Sequence, residues 1–378
     1  MRTTTLIDVA EVIDSLHQTP TYVDDGIPMV RVTDVKKGNL SLDKCLMVSE
    51  KVYQAYTAKY VPKKGDIVIS RVGSYGNFAY VADDFRFCLG QNTAIISPKI
   101  NSRFLFYFLI SPEAKRQIER KVVGSTQKTI SLKNIKGIEI PIVDELIQNK
   151  IATILECIDD KIATNDKINQ NLTSQIQAIY SHEFDPVMHS STGVLSEISK
   201  YSTEKVNVSE LSVKTYYSTE NMLPNKVGAI DASTLPTIAQ TTKCHPGDVL
   251  VSNIRPYFKK IVYVNDDCGC STDVLCFTPL DSTYSAYLFG TLFMDQFFDY
   301  MVAGSKGTKM PRGDKQQIMN YPIVIPNGAS LKKYNGVVEP MLEQMAANRA
   351  ESERLIALRD YLLPKLISGA LDVVDLNL

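Results

Sequence analysis

The chain has 378 residues, 44% of them hydrophobic and 22% charged, with a formal net charge of −1 and seven cysteines. Such a length allows two or three domains of ordinary globular composition, and the neutral balance argues against a chain that by itself neutralises many phosphates. An odd cysteine count without framework spacing fits a reducing cytoplasm. The sequence lacks both an apolar run long enough to span a membrane and the apolar stretch of a secretory signal.

Charge is unevenly spread. Lys99–Lys136 holds nine Lys/Arg against two Glu, a local +7, whereas Asp144–Asp185 holds three Lys against eight Asp/Glu, a local −5. In chain order, the first strong element is PKKGDIVISRVGS at Pro62–Ser74. A Gly-Asp turn leads into a short apolar run, the pattern of a buried strand, and NFAYVAD reads as the next strand. SRFLFYFLISPEAKRQIERKVV then reads as one helix that begins at a Ser/Asn cap and stops at Gly124. Asp144–Ser181 reads as a long helix with heptad positions a at Ile151, Ile158, Asn165, Leu172 and Ile179. Its d positions are Ile147, Ile154, Lys161, Ile168 and Gln175. Further on, GDVLVS and KKIVYVND repeat the strand pattern, and STYSAYLFGTLFMDQFFDYMVA reads as a helix stopping at Gly304. Ser330–Leu363 closes with a second long helix: a at Tyr334, Met341, Asn348, Leu355 and Leu362; d at Val337, Gln344, Glu351, Leu358 and Lys365.

These elements form an internal repeat. Gly65-Asp66 matches Gly247-Asp248 at an offset of 182, and VVGS at Val122–Ser125 matches VAGS at Val302–Ser305 at 180. Pro141-Ile142-Val143 matches Pro322-Ile323-Val324 at 181, and IATN at Ile162–Asn165 matches MAAN at Met345–Asn348 at 183. Four matches in one order at nearly constant offset indicate two divergent copies of one unit. The expected fold class is α+β: two pseudo-symmetric, mixed α/β lobes, at 1–143 and 186–326. They are separated by two long antiparallel coiled-coil helices at 144–185 and 327–378. Asn165 and Asn348 fall at the central a position of each helix, where a polar residue costs stability and sets register. A helix of this length spans roughly 55 Å at about 1.5 Å per residue. That is about one and a half turns of DNA at ~34 Å each, so two unlike readers at fixed spacing would suit a split site with unlike halves.

From end to end the chain resembles the specificity subunits of type I restriction–modification systems. In the first copy the resemblance is carried by HQTPTYVDDGIPMVRVTDVKKGNL, KKGDIVISRVGSYGN, VGSTQKTISLKNIKGIEIPI and NKIATILECIDDKIATNDKINQNL. In the second it is carried by YYSTENMLPNK, GDVLVSNIRPYFKKIVYV, STDVLCF, GSKGTKMPRGDK and RDYLLPKLISGAL. The first helix ends in SHEFDP, where related chains more often carry a bulkier Trp/Phe-rich stretch. The resemblance implies two target-recognition domains, each reading half of a bipartite site in double-stranded DNA, with the helices as spacer. It also implies docking of two modification subunits that hold the methyltransferase chemistry, with restriction subunits as optional further partners. Methyl donor, ATP and Mg would belong to those partners; this chain would bind no cofactor, no metal and no membrane.

The residues agree that catalysis is not expected. NIRPYF at Asn253–Phe258 departs at Arg255 from the Asn-Pro-Pro-Tyr/Phe loop of adenine methyltransferases, and no Gly-rich cofactor turn accompanies it. Glu113–Lys115 lacks a nuclease partner motif. Cys244, Cys268, Cys270 and Cys276 do not form paired Cys-x2-Cys spacing, and His17, His182, His189 and His245 form no constellation. A fused methyltransferase or endonuclease, and a scaffold that binds no DNA, are the alternative functions. Base edges are best read by Arg, Lys, Asn and Gln, while phosphates take Lys, Arg and hydroxyls. The first-lobe candidates are Arg71, Ser74, Tyr75 and Asn77 after the VIS strand, Gln127, Lys128 and Thr129, and Arg31, Lys36 and Lys37. The second-lobe candidates are Arg255, Tyr257, Lys259 and Lys260 in one loop, Lys306, Lys309 and Arg312 in another, and Tyr216 and Tyr217.

Overall fold

A computed structural model describes residues 2–122, 128–184 and 193–373. Gly124, Gln127 and His189 lie outside these. The chain divides into two compact units, Met1–Ala163 with Ser352–Leu378, and Thr164–Glu351.

In the first unit the main sheet orders its strands Ala10–Asp14, Thr93–Pro98, Ile67–Ser70, Phe78–Tyr80 and Gly38–Asn39. In the second unit the order is Ser199–Tyr201, Val274–Pro279, Val249–Ser252 and Ile261–Tyr263. Each copy has a second four-stranded sheet. In both, one pair of that sheet is parallel: Ile27–Val30 with Cys88–Leu89, and Tyr216–Tyr217 with Cys268–Cys270.

The Gly-Asp repeat has the same cause in both copies. Gly65 (φ +89) and Gly247 (φ +91) adopt left-handed backbone that disfavours a side chain. A Cβ on Gly247 would also sit 2.6 Å from Ser285 Oγ. The following aspartate, Asp66 or Asp248, is buried and accepts the backbone N–H three residues before it, from Lys63 at 2.9 Å or His245 at 2.8 Å. The turn so closed delivers the next residues into the sheet centre, where Ile67–Ser70 and Val249–Ser252 are buried throughout.

Each single helix expected after the sheet is two helices. Ser102–Ile110 and Pro112–Lys121 break at Ser111, whose side chain caps Ala114 N, and Pro112 starts the new helix. Proline fits the first turn of a helix and not its interior, which places the break. Ser285–Phe293 and Asp295–Ala303 break at Met294, which is extended (ψ 148). Gly304 does stop the second of these, its N–H returning to the Tyr300 and Val302 carbonyls.

The long helices are Glu145–Phe184 and Gly328–Ile367, forty residues each. Within the second unit they run antiparallel: Glu183 pairs with Lys333 at 3.0 Å, Asn169 donates to the Met345 carbonyl, and Asn165 donates to Glu351 at 2.9 Å. The a positions Ile151, Ile158 and Asn165 are buried as expected, but d residues Ile168, Val337 and Leu358 are exposed. The buried stripe instead runs Ile151, Leu155, Ile158, Asn165, Ile176, Tyr180, Phe184 on one helix. On the other it runs Leu331, Tyr334, Val338, Leu342, Met345, Asn348, Ser352, Leu363, Ile367. These spacings follow about 3.6 residues per turn, so the stripe drifts ~20° per heptad from a strict seven-residue seam. The reason is that both helices also pack into the lobe cores: Ile151 and Leu155 join the first, Tyr180 and Phe184 the second. Phe184, at the SHEFDP end, stacks with Tyr180, Tyr287 and Tyr334 at centroid distances of 5.8, 5.1 and 5.3 Å. An aromatic cluster thus anchors the helix end.

The basic and acidic runs meet within the first unit. Arg103 bonds Glu156 at 2.8 Å and lies 3.7 Å over the Tyr80 ring, and Arg359 bonds Asp159 at 2.9 Å. Part of the local +7 is therefore neutralised internally.

Candidate nucleic-acid interface

The loops after the central strands share one hydrogen-bonded frame. In the first copy, Arg71 N–H donates to Asn92 O at 2.8 Å, Ile130 N–H to Arg71 O at 3.0 Å, and Gly73 N–H to Lys128 O at 3.3 Å. In the second, Asn253 N–H donates to Asp273 O at 2.9 Å, Gly313 N–H to Asn253 O at 3.3 Å, and Arg255 N–H to Pro311 O at 2.8 Å. Bridges Val72–Thr129 and Ile254–Arg312 complete the match. The frame therefore aligns Arg71 with Asn253 and Gly73 with Arg255. This is the correspondence that the sequence offset of 182 between Gly65-Asp66 and Gly247-Asp248 also gives.

That alignment separates the chemistry of Arg71 and Arg255. Arg71 is tucked in: its guanidinium pairs with Asp14, its Nε reaches the Ile130 carbonyl at 3.4 Å, and its side chain is 13% exposed. Asn253 at the equivalent position is buried, and its Oδ1 has no partner among the described residues. Gly73 is left-handed (φ +69), and Arg255 holds the same region at φ 50, ψ 63. An L-residue there is uncommon and strained, and such outliers cluster at functional sites. Arg255 Nη2 approaches the Lys309 carbonyl at 3.5 Å, and Nε is buried without a partner among the described residues.

Around the first loop, Ser74 is exposed and its carbonyl accepts from Ser70 Oγ. Tyr75 is half-buried against the core with Lys128 Nζ 5.9 Å from its ring, and Lys128 itself is exposed. Asn77 Nδ2 donates to the Val35 carbonyl at 3.4 Å, and Thr129 sits half-buried in its bridge. Arg31 is held bidentately by Asp34 at 2.9 and 3.0 Å, which lifts the guanidinium pKa above its ordinary value, while Lys36 and Lys37 are exposed. The accessible polar groups here are thus Ser74, Lys128, Lys36 and Lys37.

In the second copy Pro256–Phe258 forms a short 3-10 turn, and Lys259 is again left-handed at φ 51. Tyr257 and Phe258 are 49% and 38% exposed. Lys259 and Lys226 converge on one Asp295 oxygen at 2.9 and 2.7 Å. The two lysines hold the Asp295 carboxyl below its usual range; burial, outweighing that carboxylate, pushes Lys226 down as well. Lys260 Nζ donates to the Thr219 carbonyl at 2.5 Å, and burial lowers its pKa. Lys306 pairs with Asp314 at 2.7 Å and Arg312 with Asp273 at 2.9 Å, yet both side chains stay largely exposed, as does Lys309. Tyr216 is buried in its strand, so its ring is withdrawn from the surface, and Tyr217 is half-buried against the core that holds Met222 and Cys244.

Asp295 and the hairpin turn at Asn225-Lys226 are supports that sequence inspection missed. The turn's N–H groups donate to the Phe258 and Lys259 carbonyls, both at 2.8 Å. The signal was the PNKVG run, a turn composition between strands Met222–Leu223 and Gly228–Ala229. His245, isolated in sequence, lies between Glu204 at 3.0 Å and Asp267 at 2.9 Å. Cys244, Cys268, Cys270 and Cys276 share one apolar core.

Residues 2–174 match the family model of the type I restriction modification DNA specificity domain. The first copy thus defines the class of module, and the second repeats its frame. The chain is 21% identical over 357 residues to the type I restriction enzyme MjaIX specificity subunit of Methanocaldococcus jannaschii, covering 87% of this chain and 82% of that one. It is 28% identical over 207 residues to the HindI specificity subunit of Haemophilus influenzae, covering 51% of this chain and 43% of that one. In fold it is similar to the type I restriction–modification S subunit of M. genitalium, with a TM-score of 0.56 at 16% identity over 97% of this chain and 95% of that one. Residues 2–174 thus carry a type I restriction modification DNA specificity domain, and the chain along its length is similar to type I specificity subunits. Among the described residues no helix is long and apolar enough to cross a membrane.

Proposed function

We propose that this chain reads a bipartite, asymmetric site in double-stranded DNA, one half with each lobe, and thereby directs methyltransferase subunits to it. The observation that carries this reading is the constant frame bearing unlike loops. Strand, left-handed residue and return bridge coincide, while the side chains presented are Ser74 and Lys128 in one copy and Arg255, Tyr257 and Lys309 in the other. A scaffold has no need for such divergence on an unchanged frame; a pair of readers for different base sequences does. The near-neutral charge fits shared labour, with partner subunits supplying much of the phosphate contact.

Two modification subunits would dock on the chain, with restriction subunits optional, and the complex would work in the cytoplasm. Methyl donor, ATP and Mg would be held by the partners, and this chain would make or break no covalent bond. The test is the adenine methylation pattern of host DNA, read genome-wide, with the reconstituted complex in parallel. A split motif is expected, and exchanging the second lobe for another should alter one half of it. An unchanged motif after the exchange sinks the reading. Methyl transfer by the purified chain alone would favour the enzyme alternative.

A further inference from the structure

We propose that the Tyr257–Phe258 pair is a wedge that enters the base stack at the half-site read by the second lobe, so that this lobe selects a deformable base step while the first lobe reads its half without unstacking it. This rests on the DNA-reading function above and adds how one half-site is recognised. The two rings lie 4.7 Å apart between centroids at an interplanar angle of 54°, at the tip of the loop. Large aromatic rings are ordinarily withdrawn from water, so two adjacent exposed ones ask for an occupant.

The tip is braced. Left-handed Arg255 and Lys259 bracket the turn, and Pro256 between them is buried. Asn225 and Lys226 grip the Phe258 and Lys259 carbonyls, and Asp295 ties Lys226 to Lys259. A rigid tip loses little freedom on insertion, which a wedge requires. A cation lies beside one ring, Lys260 Nζ at 5.8 Å from Phe258, and Arg255 immediately precedes the turn that carries both rings. Aromatic faces beside cations match stacked bases beside phosphates, and flexible pyrimidine–purine steps yield most readily to such side chains. The matching loop of the first lobe has no equivalent among its described residues. It offers Tyr75 alone, half-buried on the core.

The test uses the full chain assembled with its modification subunits, on duplexes of the methylated motif with 2-aminopurine at successive purines of the second half-site. Binding should raise fluorescence several-fold at one base step. The rise should vanish in Tyr257→Ala/Phe258→Ala, shrink in each single alanine variant and persist in Tyr257→Phe. The double variant should bind about tenfold more weakly with the first half-site still protected. Any rise at an adenine extruded by the methyltransferase is a separate signal that should persist. A response unchanged in the double variant, or none beyond that adenine, overturns the wedge. A wild-type complex that neither binds nor methylates a split motif overturns the function itself.

Discussion

Replacing Arg255 by glycine separates the backbone strain at this position from what its side chain does. Arg255 holds a left-handed conformation at φ 50, where the first copy uses Gly73. Left-handed backbone costs an L-residue about 1–2 kcal/mol. Glycine removes that cost but adds roughly 0.5–1 kcal/mol of unfolded-state entropy. The side chain contributes little in return, since its guanidinium approaches Lys309 O at 3.5 Å, the limit of a hydrogen bond. Arg255→Gly should therefore be neutral or stabilising, by ~0–1 kcal/mol. If the guanidinium reads a base, the same change should cost ~1–3 kcal/mol of binding and relax one half-site. Arg255→Ala keeps the strain and removes the guanidinium, so it should be less stable than the glycine variant and equally relaxed. Urea denaturation gives the first quantity, and the methylated motif of the reconstituted complex gives the second. A glycine variant clearly less stable than wild type, with an unaltered motif, would refute the reasoning on both counts.

Lys128→Gln should weaken binding to all sequences alike and reduce the slope of log affinity against log salt by about 1; a loss confined to one sequence would contradict a phosphate role. His245 has a pKa raised above the ordinary histidine value, chiefly by the Glu204 carboxylate and, against burial, by Asp267. Its stabilisation is therefore present below the unfolded value and lost as pH rises through the folded one. The melting midpoint should fall from about pH 6 to about pH 8 more steeply in wild type than in His245→Gln, and equal slopes would dismiss the contribution. Asn348 is buried, donates to Asn169 at 2.8 Å and accepts from Gln344 at 2.7 Å. Asn348→Ala should cost about 1–3 kcal/mol in urea unfolding because it strands those partners. Its effect should be non-additive with Asn169→Ala, and simple additivity would show that the layer does not act as a unit.

What the sequence by itself determined was the duplication, the element types and the polar centre of the long helices. Gly-Asp turns, apolar runs and heptad-like spacing are local, and their physical causes act over a few residues. Tertiary structure decided which side chains remain at the surface. Arg71 is engaged by Asp14, which lies 57 residues away in the chain. Tyr216 is buried by its sheet, and d residues Ile168, Val337 and Leu358 of the long helices are left exposed because each helix must also pack a lobe. The offset of 182 already sets Arg255 against Gly73, but only the fold shows that both copies hold left-handed backbone at this position. A pattern of residue types reports what a segment would bury. Which partner buries it depends on segments far apart in sequence meeting in space, and that meeting decides which groups are left for a ligand.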